Sequence, residues 1–162
     1  MSDRFPTTAS GLKKMQEELK HLETVERPKI SVEIGIARAH GDLRENAEYH
    51  AAKEKQGYIE GRILTLNAWI GQAEVIDVLA FKGQKKVLFG ASVQLLDTET
   101  DKKVIYRLVG EFEADIKKRW ISVNSPVARG LIGKNIGDLA TVVSPGGNRE
   151  YEILSVNFED VD

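Results

Sequence analysis

Two stretches of the chain repeat apolar residues at helical spacing. Leu12, Met15, Leu19 and Leu22 recur at steps of three and four, and Ile30, Ile34 and Ala37 continue the stripe. Further on, Ile59, Ile63, Leu66, Ile70 and Ala73 repeat at four, three, four and three. That is the seam spacing of two packed helices. Few residues separate the two patterns, which predicts an antiparallel hairpin. An upstream helix from about Leu12 to Ala39 would be roughly 40 Å long at 1.5 Å per residue. Thr7, Thr8 and Ser10 offer capping oxygens ahead of it. Pro28 removes a helical donor, yet the stripe resumes at Ile30, which predicts a bend rather than a break. Gly41 suits the end of the first helix. The second helix is expected from Asp42 or Leu43 to about Ala73, although Gly57, Gly61 and Gly71 each cost about 0.5–1 kcal/mol against alanine.

Beyond Ala73 the period changes. Val87–Phe89, Ser92–Leu96, Val104–Val109, Ile121–Val123, Leu139–Val143 and Tyr151–Val156 read as strands. The polar run 97–101 reads as a hairpin loop, and Ser144-Pro145-Gly146-Gly147-Asn148 as a tight turn. Ser125 followed by Pro126 predicts a short helix with a serine cap and proline at its first position. The fold class is therefore α+β. Residues 1–76 form an antiparallel coiled-coil domain with an acidic tip, and residues 80–162 a small, mostly antiparallel β domain with one short helix.

Composition narrows the classes. The 162 residues are 41% hydrophobic and 30% charged, with no cysteine, so a disulfide framework and a thiolate metal site are excluded. No run approaches signal-peptide or membrane-span character, so the expected location is the cytoplasm, with no membrane partner. Residues 1–74 carry 11 Lys+Arg and 12 Asp+Glu, and residues 75–162 carry 12 and 13. Neither half has the basic footprint of a non-specific DNA binder.

Candidate chemistry concentrates in Gly41-Asp42-Leu43-Arg44-Glu45-Asn46-Ala47-Glu48-Tyr49, between the two helical patterns. Two readings compete. Asp42 followed three residues later by Glu45 is close to a capping box, with both carboxylates favoured at a helix start. The same pair, exposed, offers two hard oxygen ligands for a divalent cation such as Mg²⁺, which is an incomplete site needing ligands from a partner. His40 and His50 flank the stretch, but two histidines without further ligands read as surface residues rather than a zinc site. Tyr49 reads as packing at the tip, and Met15 and Trp69 as helical core.

The stretch from Gly41 to Lys53, Gly-Asp-Leu-Arg-Glu-Asn-Ala-Glu-Tyr-His-Ala-Ala-Lys, resembles the tip signature of the Gre transcript-cleavage factors of bacterial RNA polymerase. Ile121-Ser-Val-Asn-Ser-Pro-Val-Ala-Arg-Gly-Leu-Ile-Gly-Lys134 is similar to that family's C-terminal signature, and Ser144-Pro145-Gly146-Gly147 to its final turn. The likeness runs over essentially the whole chain. Asn124, where the B branch usually has aspartate, and the few basic residues near the tip fit the A branch best.

The resemblance implies a C-terminal domain similar in fold to FK506-binding proteins that docks at the rim of the polymerase secondary channel, with Asn124, Ser125 and Pro126 in the docking loop. It implies a coiled coil entering that channel, so that Asp42 and Glu45 share a Mg²⁺ with the polymerase active site and promote cleavage of backtracked RNA at its nascent 3′ end. The factor alone would be no nuclease and would hold no metal stably. Arg38 and Lys53 match a basic patch near the RNA; solvated helical ion pairs explain them equally well. Capping explains Ser125 and Pro126 equally well. The alternative is a channel-binding regulator without cleavage activity, against which the intact Asp42 and Glu45 argue. A prolyl isomerase or chaperone rests on fold analogy alone.

Overall fold

The computed structural model describes residues 4–41 and 46–160. Its chain falls into two compact units, one over Lys13–Gln72 and the other over Met1–Leu12 with Ala73–Asp162.

The helical unit is a hairpin. The first arm runs from α1 (Ala9–His21) through a π-helical turn at Leu22–Glu26 into α2 (Arg27–Arg38), and the second arm is the single helix α3 (Ala47–Gln72). Three cross-links fix the antiparallel sense. Arg62 grips Glu18 with two hydrogen bonds of 2.5 and 3.1 Å. Arg27 grips Glu60 with two of 2.9 Å. Asn46 reaches Ala37. As the first arm advances, its partners recede along the second. Met15, Leu22, Ile30, Ile34 and Ala37 from one arm, and Ala52, Ile59, Ile63 and Leu66 from the other, are buried along the seam. Met15 is thus core, whereas Trp69 is half-buried with the Arg62 guanidinium 5.5 Å from its ring centre.

As expected, Pro28 does not break the arm. It sits in the first turn of α2, and the helix widens just before it, where the Arg27 amide donates to the Leu22 carbonyl five residues back. A wide turn moves carbonyls away from the proline ring that would otherwise strike the one four residues earlier. The backbone therefore stays helical through the whole arm. Gly57, Gly61 and Gly71 have open space where a Cβ would lie, so none of them marks a close helix crossing.

The other unit contains a five-stranded sheet in the order β5-β4-β3-β7-β6. Its strands are β3 (Ala91–Asp97), β4 (Lys103–Val109), β5 (Trp120–Ser122), β6 (Leu139–Ser144) and β7 (Gly147–Phe158). All neighbours are antiparallel except β4 and β5. Val93, Leu95, Leu108 and Ile153 are fully buried together with Leu131 of α4 (Pro126–Leu131). Gly130 lets α4 approach β6: a Cβ there would lie 2.9 Å from the Thr141 carbonyl oxygen. Val87–Phe89, expected as a strand, is irregular. Its backbone is satisfied instead by the segment after α4, with the Val87 amide donating to Lys134 and the Gly133 amide to the Val87 carbonyl.

The first residues of the chain belong to the sheet-bearing compact unit. β1 (Phe5–Thr7) pairs in parallel with β2 (Ala73–Val75), and the two form their own small sheet. Thr7 donates its hydroxyl to Glu113 at 2.7 Å, and the Thr8 amide donates to the same carboxylate oxygen at 3.3 Å. These bonds tie the start of the chain to the sheet-bearing unit, so the helical unit begins only at Lys13. Of the three candidate capping residues, Thr8 is the one used: its hydroxyl accepts from the Gly11 amide.

Asp97 closes the β3–β4 loop. Its carboxylate accepts from the amides of Glu99 and Thr100 and from the Arg149 guanidinium, at 2.9, 3.3 and 2.8 Å. The Glu99 amide contributes most to holding this carboxyl below its usual range, with the Thr100 amide and Arg149 adding to it. A depressed carboxyl stabilises the fold above its unfolded value and loses that contribution as pH falls through the folded one. Melting temperature of wild type should therefore exceed that of Asp97→Asn at neutral pH, with the gap closing below about pH 4. A gap constant with pH would show that Asp97 acts through shape alone.

Candidate functional site

The site is built where the hairpin turns. At the end of α2 the Ala39 amide is shared between the carbonyls of Gly35 and Ile36, and His40 donates to Ala37 at 3.1 Å. Gly41 then takes a positive φ of 119°, open to glycine and strained for other residues. Asp42 and Glu45 lie outside the described residues.

The chain re-enters at Asn46. Its Oδ1 accepts from the Tyr49 amide at 3.1 Å, and its backbone carbonyl accepts from His50 at 3.1 Å. This is the geometry of an N-cap, in which the side chain satisfies the amide three residues on. The second helix starts at Ala47, with Asn46 as its cap, rather than at Asp42 or Leu43 as the sequence reading expected. The reason is local: asparagine caps as well as aspartate does. A capping box needs its glutamate three residues inside the helix, and here that place is held by Tyr49.

The flanking candidates are spread over both arms. Arg38 is the last residue of α2, Lys53 lies in the second turn of α3, and both are exposed. Lys53 donates to Gln56 at 3.0 Å. His40 faces Glu48 at 3.9 Å across the turn. Tyr49 is half-buried, with its ring edge-on to His50 at 5.6 Å, which is a packing role. Among the described residues, no three His, Asp or Glu side chains gather as a metal cage. A groove of about 400 Å³ opens between the arms here, floored by Ala37 and Ala52 and edged by Glu33, Glu48 and Lys55.

The docking-loop candidates lie on the sheet-bearing unit and resolve into different jobs. Ser125 Oγ accepts from the Ala128 amide at 3.2 Å and caps α4, with Pro126 at the first helical position. Asn124 donates its amide to Ser122 Oγ, which in turn hydrogen-bonds Glu111, and is exposed. Capping thus accounts for Ser125 and Pro126, and Asn124 is the member of the three without a structural duty of that kind.

Asn46 is the residue that sequence reasoning missed. Its signal was present, since asparagine ahead of Ala-Glu-Tyr is a good N-cap, but the carboxylates at 42 and 45 offered a competing cap upstream.

Comparison with known proteins assigns the chain. The family model described as "Transcription elongation factor, N-terminal" matches residues 5–75, and that described as "Transcription elongation factor, GreA/GreB, C-term" matches residues 82–158. The chain is 56% identical over 155 residues to transcription elongation factor GreA of Alkalilimnicola ehrlichii, covering 96% of this chain and 98% of that one. It is 59% identical to GreA of an Anaeromyxobacter species, covering 96% and 93%. The crystal structure of GreA factor homolog 1 of Thermus thermophilus is 21% identical, covers 95% of this chain and 99% of that one, and has a TM-score of 0.43. With both halves matched in order and more than half of the aligned residues shared with relatives matched over nearly their full length, the chain belongs to the GreA/GreB family of transcription elongation factors.

Proposed function

We propose that the chain binds bacterial RNA polymerase at the rim of its secondary channel, enters with the hairpin turn first, and stimulates hydrolysis of backtracked nascent RNA by the polymerase active site. Family membership as a transcription elongation factor supports the partner. The observation that carries the reading is the cap of α3: Asn46 fills that place, so the capping box does not account for Asp42 and Glu45. Two carboxylates in a segment flanked by basic Arg38 and Lys53 are suited to a cation and an RNA end.

The donor set fits magnesium, a hard ion commonly held by one or two carboxylates together with waters and substrate oxygens. Asp42 and Glu45 would hold it jointly with polymerase ligands. Bound there, a second ion supplies the charge that favours attack by water and departure of the displaced oxygen in phosphodiester hydrolysis. Arg38 and Lys53 attract the RNA backbone. The sheet-bearing unit, which we read as similar in fold to FK506-binding proteins, docks through the loop at Asn124, with Ser125 and Pro126 setting its backbone. Two carboxylates are half of a site, so the chain alone cleaves nothing.

The test uses elongation complexes stalled in a backtracked register with Mg²⁺. Wild-type chain should accelerate release of short 3′ RNA fragments and restore extension, while the chain with free RNA and Mg²⁺ should release nothing. Inhibition of extension with no fragment release would replace this reading by that of a channel-binding regulator.

A further inference from the structure

The loop ahead of β5 gathers three cations at one tip. Asp115 and Trp120 exchange backbone hydrogen bonds of 2.8 and 3.0 Å, which closes a tight turn over Ile116, Lys117, Lys118 and Arg119. The acids nearest in sequence are engaged by neutral donors. Asp115 accepts from the Lys117 amide at 3.1 Å, Glu111 from the Ser122 hydroxyl, and Glu113 from Thr7 and Thr8. Among the described residues, no carboxylate forms an ion pair with Lys117, Lys118 or Arg119, and all three are exposed. The Lys118 ammonium lies 4.7 Å and the Arg107 guanidinium 5.4 Å from the centre of the Trp120 ring, so an aromatic face holds one cation of the loop in place.

Two features set this loop apart from an ordinary solvated surface. Arg119 takes a φ of 59°, a region that glycine enters freely and a long side chain enters at a cost. Strained backbone of this kind gathers where a protein meets a ligand or partner. Ile116, at the same tip, is 86% exposed. We infer that the 116–119 loop is a second polymerase contact, distinct from the loop at Asn124, and that it takes an acidic surface with an apolar recess for Ile116. The inference rests on the reading that the sheet-bearing unit docks on polymerase. Only the edge strand β5 separates the two loops, roughly 10 Å at about 3.3 Å per residue, so one partner face spans both. The unpaired cations fix the sign of that face. A protein fits better than a nucleic acid. A phosphate backbone has no recess for an isoleucine, and a nucleic-acid binder spreads its basic residues over a stripe, whereas residues 75–162 carry 12 basic and 13 acidic groups. Arginine and tryptophan around an apolar anchor are the composition of a protein interface.

The test measures binding of the full chain to RNA polymerase without nucleic acid and to backtracked complexes, over a range of salt. Lys117→Gln, Lys118→Gln and Arg119→Gly combined should raise the half-saturating concentration roughly 10-fold at low salt, as the loss of three modest exposed ion pairs gives. The salt dependence of binding should flatten, because the screened pairs are gone. Maximal cleavage rate should stay at the wild-type value. The melting temperature should equal or exceed that of wild type, since glycine relieves the backbone at 119. A loop with a structural role alone does not lose affinity while it keeps stability. Ile116→Ser should weaken binding several-fold with wild-type salt dependence. Lys85→Gln with Lys86→Gln, a basic pair elsewhere on the same unit, should change neither quantity. If the combined variant binds as tightly as wild type with the same salt dependence, or if the Lys85 and Lys86 pair weakens binding equally, the contact is overturned and docking through Asn124 stands. Weakening seen only when nucleic acid is present would assign the loop to nucleic acid and overturn it too. Wild-type chain that fails to bind polymerase at all would remove the docking reading and this contact together, an outcome no variant can imitate.

Discussion

A chain carrying Asp42→Asn and Glu45→Gln is expected to bind polymerase as wild type does and to lose cleavage stimulation by at least about 100-fold at saturating factor. The substitutions keep side-chain size and remove both negative charges. Groups that only orient metal ligands are worth about 10–100-fold, so removing the ligands themselves should reach or exceed the upper figure. The effect should fall on maximal rate rather than on half-saturation, because the loop at Asn124 that we propose as the docking loop belongs to the other unit. Stability supplies the counter-check. Loss of a helix cap costs about 0.5–2 kcal/mol, but α3 is capped by Asn46, so melting of the double variant should move little. The readouts are fragment release per unit time and a melting curve on the same preparation. A double variant that melts markedly lower yet cleaves at the wild-type rate would return the two carboxylates to a structural role.

The order and type of most elements could be read from period alone. The seam residues Met15, Ile30, Ile34, Ile59, Ile63 and Leu66 are all buried as the three-and-four spacing requires. Alternation located β3 and β4 to within a residue at each end, because one face of each strand lies against the core. What escaped was set by contacts between residues far apart in sequence. Nothing in Phe5-Pro6-Thr7 announces that it will pair with Ala73–Val75, since three residues carry no period and the partner lies across the whole hairpin. Val87–Phe89 has strand composition, but the amide and carbonyl of Val87 bond to the segment after α4 rather than to a strand. At the tip, pattern could find the charges but not choose between two cap candidates; the chemistry of Asn46 decides it by serving both helix ends. The short helix after Asn124 was legible, because Ser125-Pro126 spells a helix start.

Matched truncations of the two cores should uncouple binding from cleavage. Leu66 is fully buried in the hairpin seam and Leu95 fully buried in the sheet core. Each leucine-to-alanine change deletes buried methyl groups and leaves a cavity, at a cost of about 2–5 kcal/mol. The two units do not share the loss equally. The hairpin, Lys13–Gln72, has roughly the size at which a fold buries only about 60% of its chain surface and is marginal. A loss of that size is a large fraction of the stability such a unit can hold. Leu66→Ala should therefore unfold the hairpin well below the melting point of the sheet and give two separated calorimetric transitions, a departure from two-state behaviour that chains of more than one unit allow. At an assay temperature between the two transitions this variant should still occupy polymerase through the Asn124 loop, compete with wild type for it, and stimulate no cleavage. Leu95→Ala should weaken the docking unit and raise the concentration needed for half-maximal cleavage. If both variants instead melt in one transition and lose binding and cleavage in parallel, the hairpin and the sheet are one cooperative structure, and delivery of the carboxylates is not separable from docking.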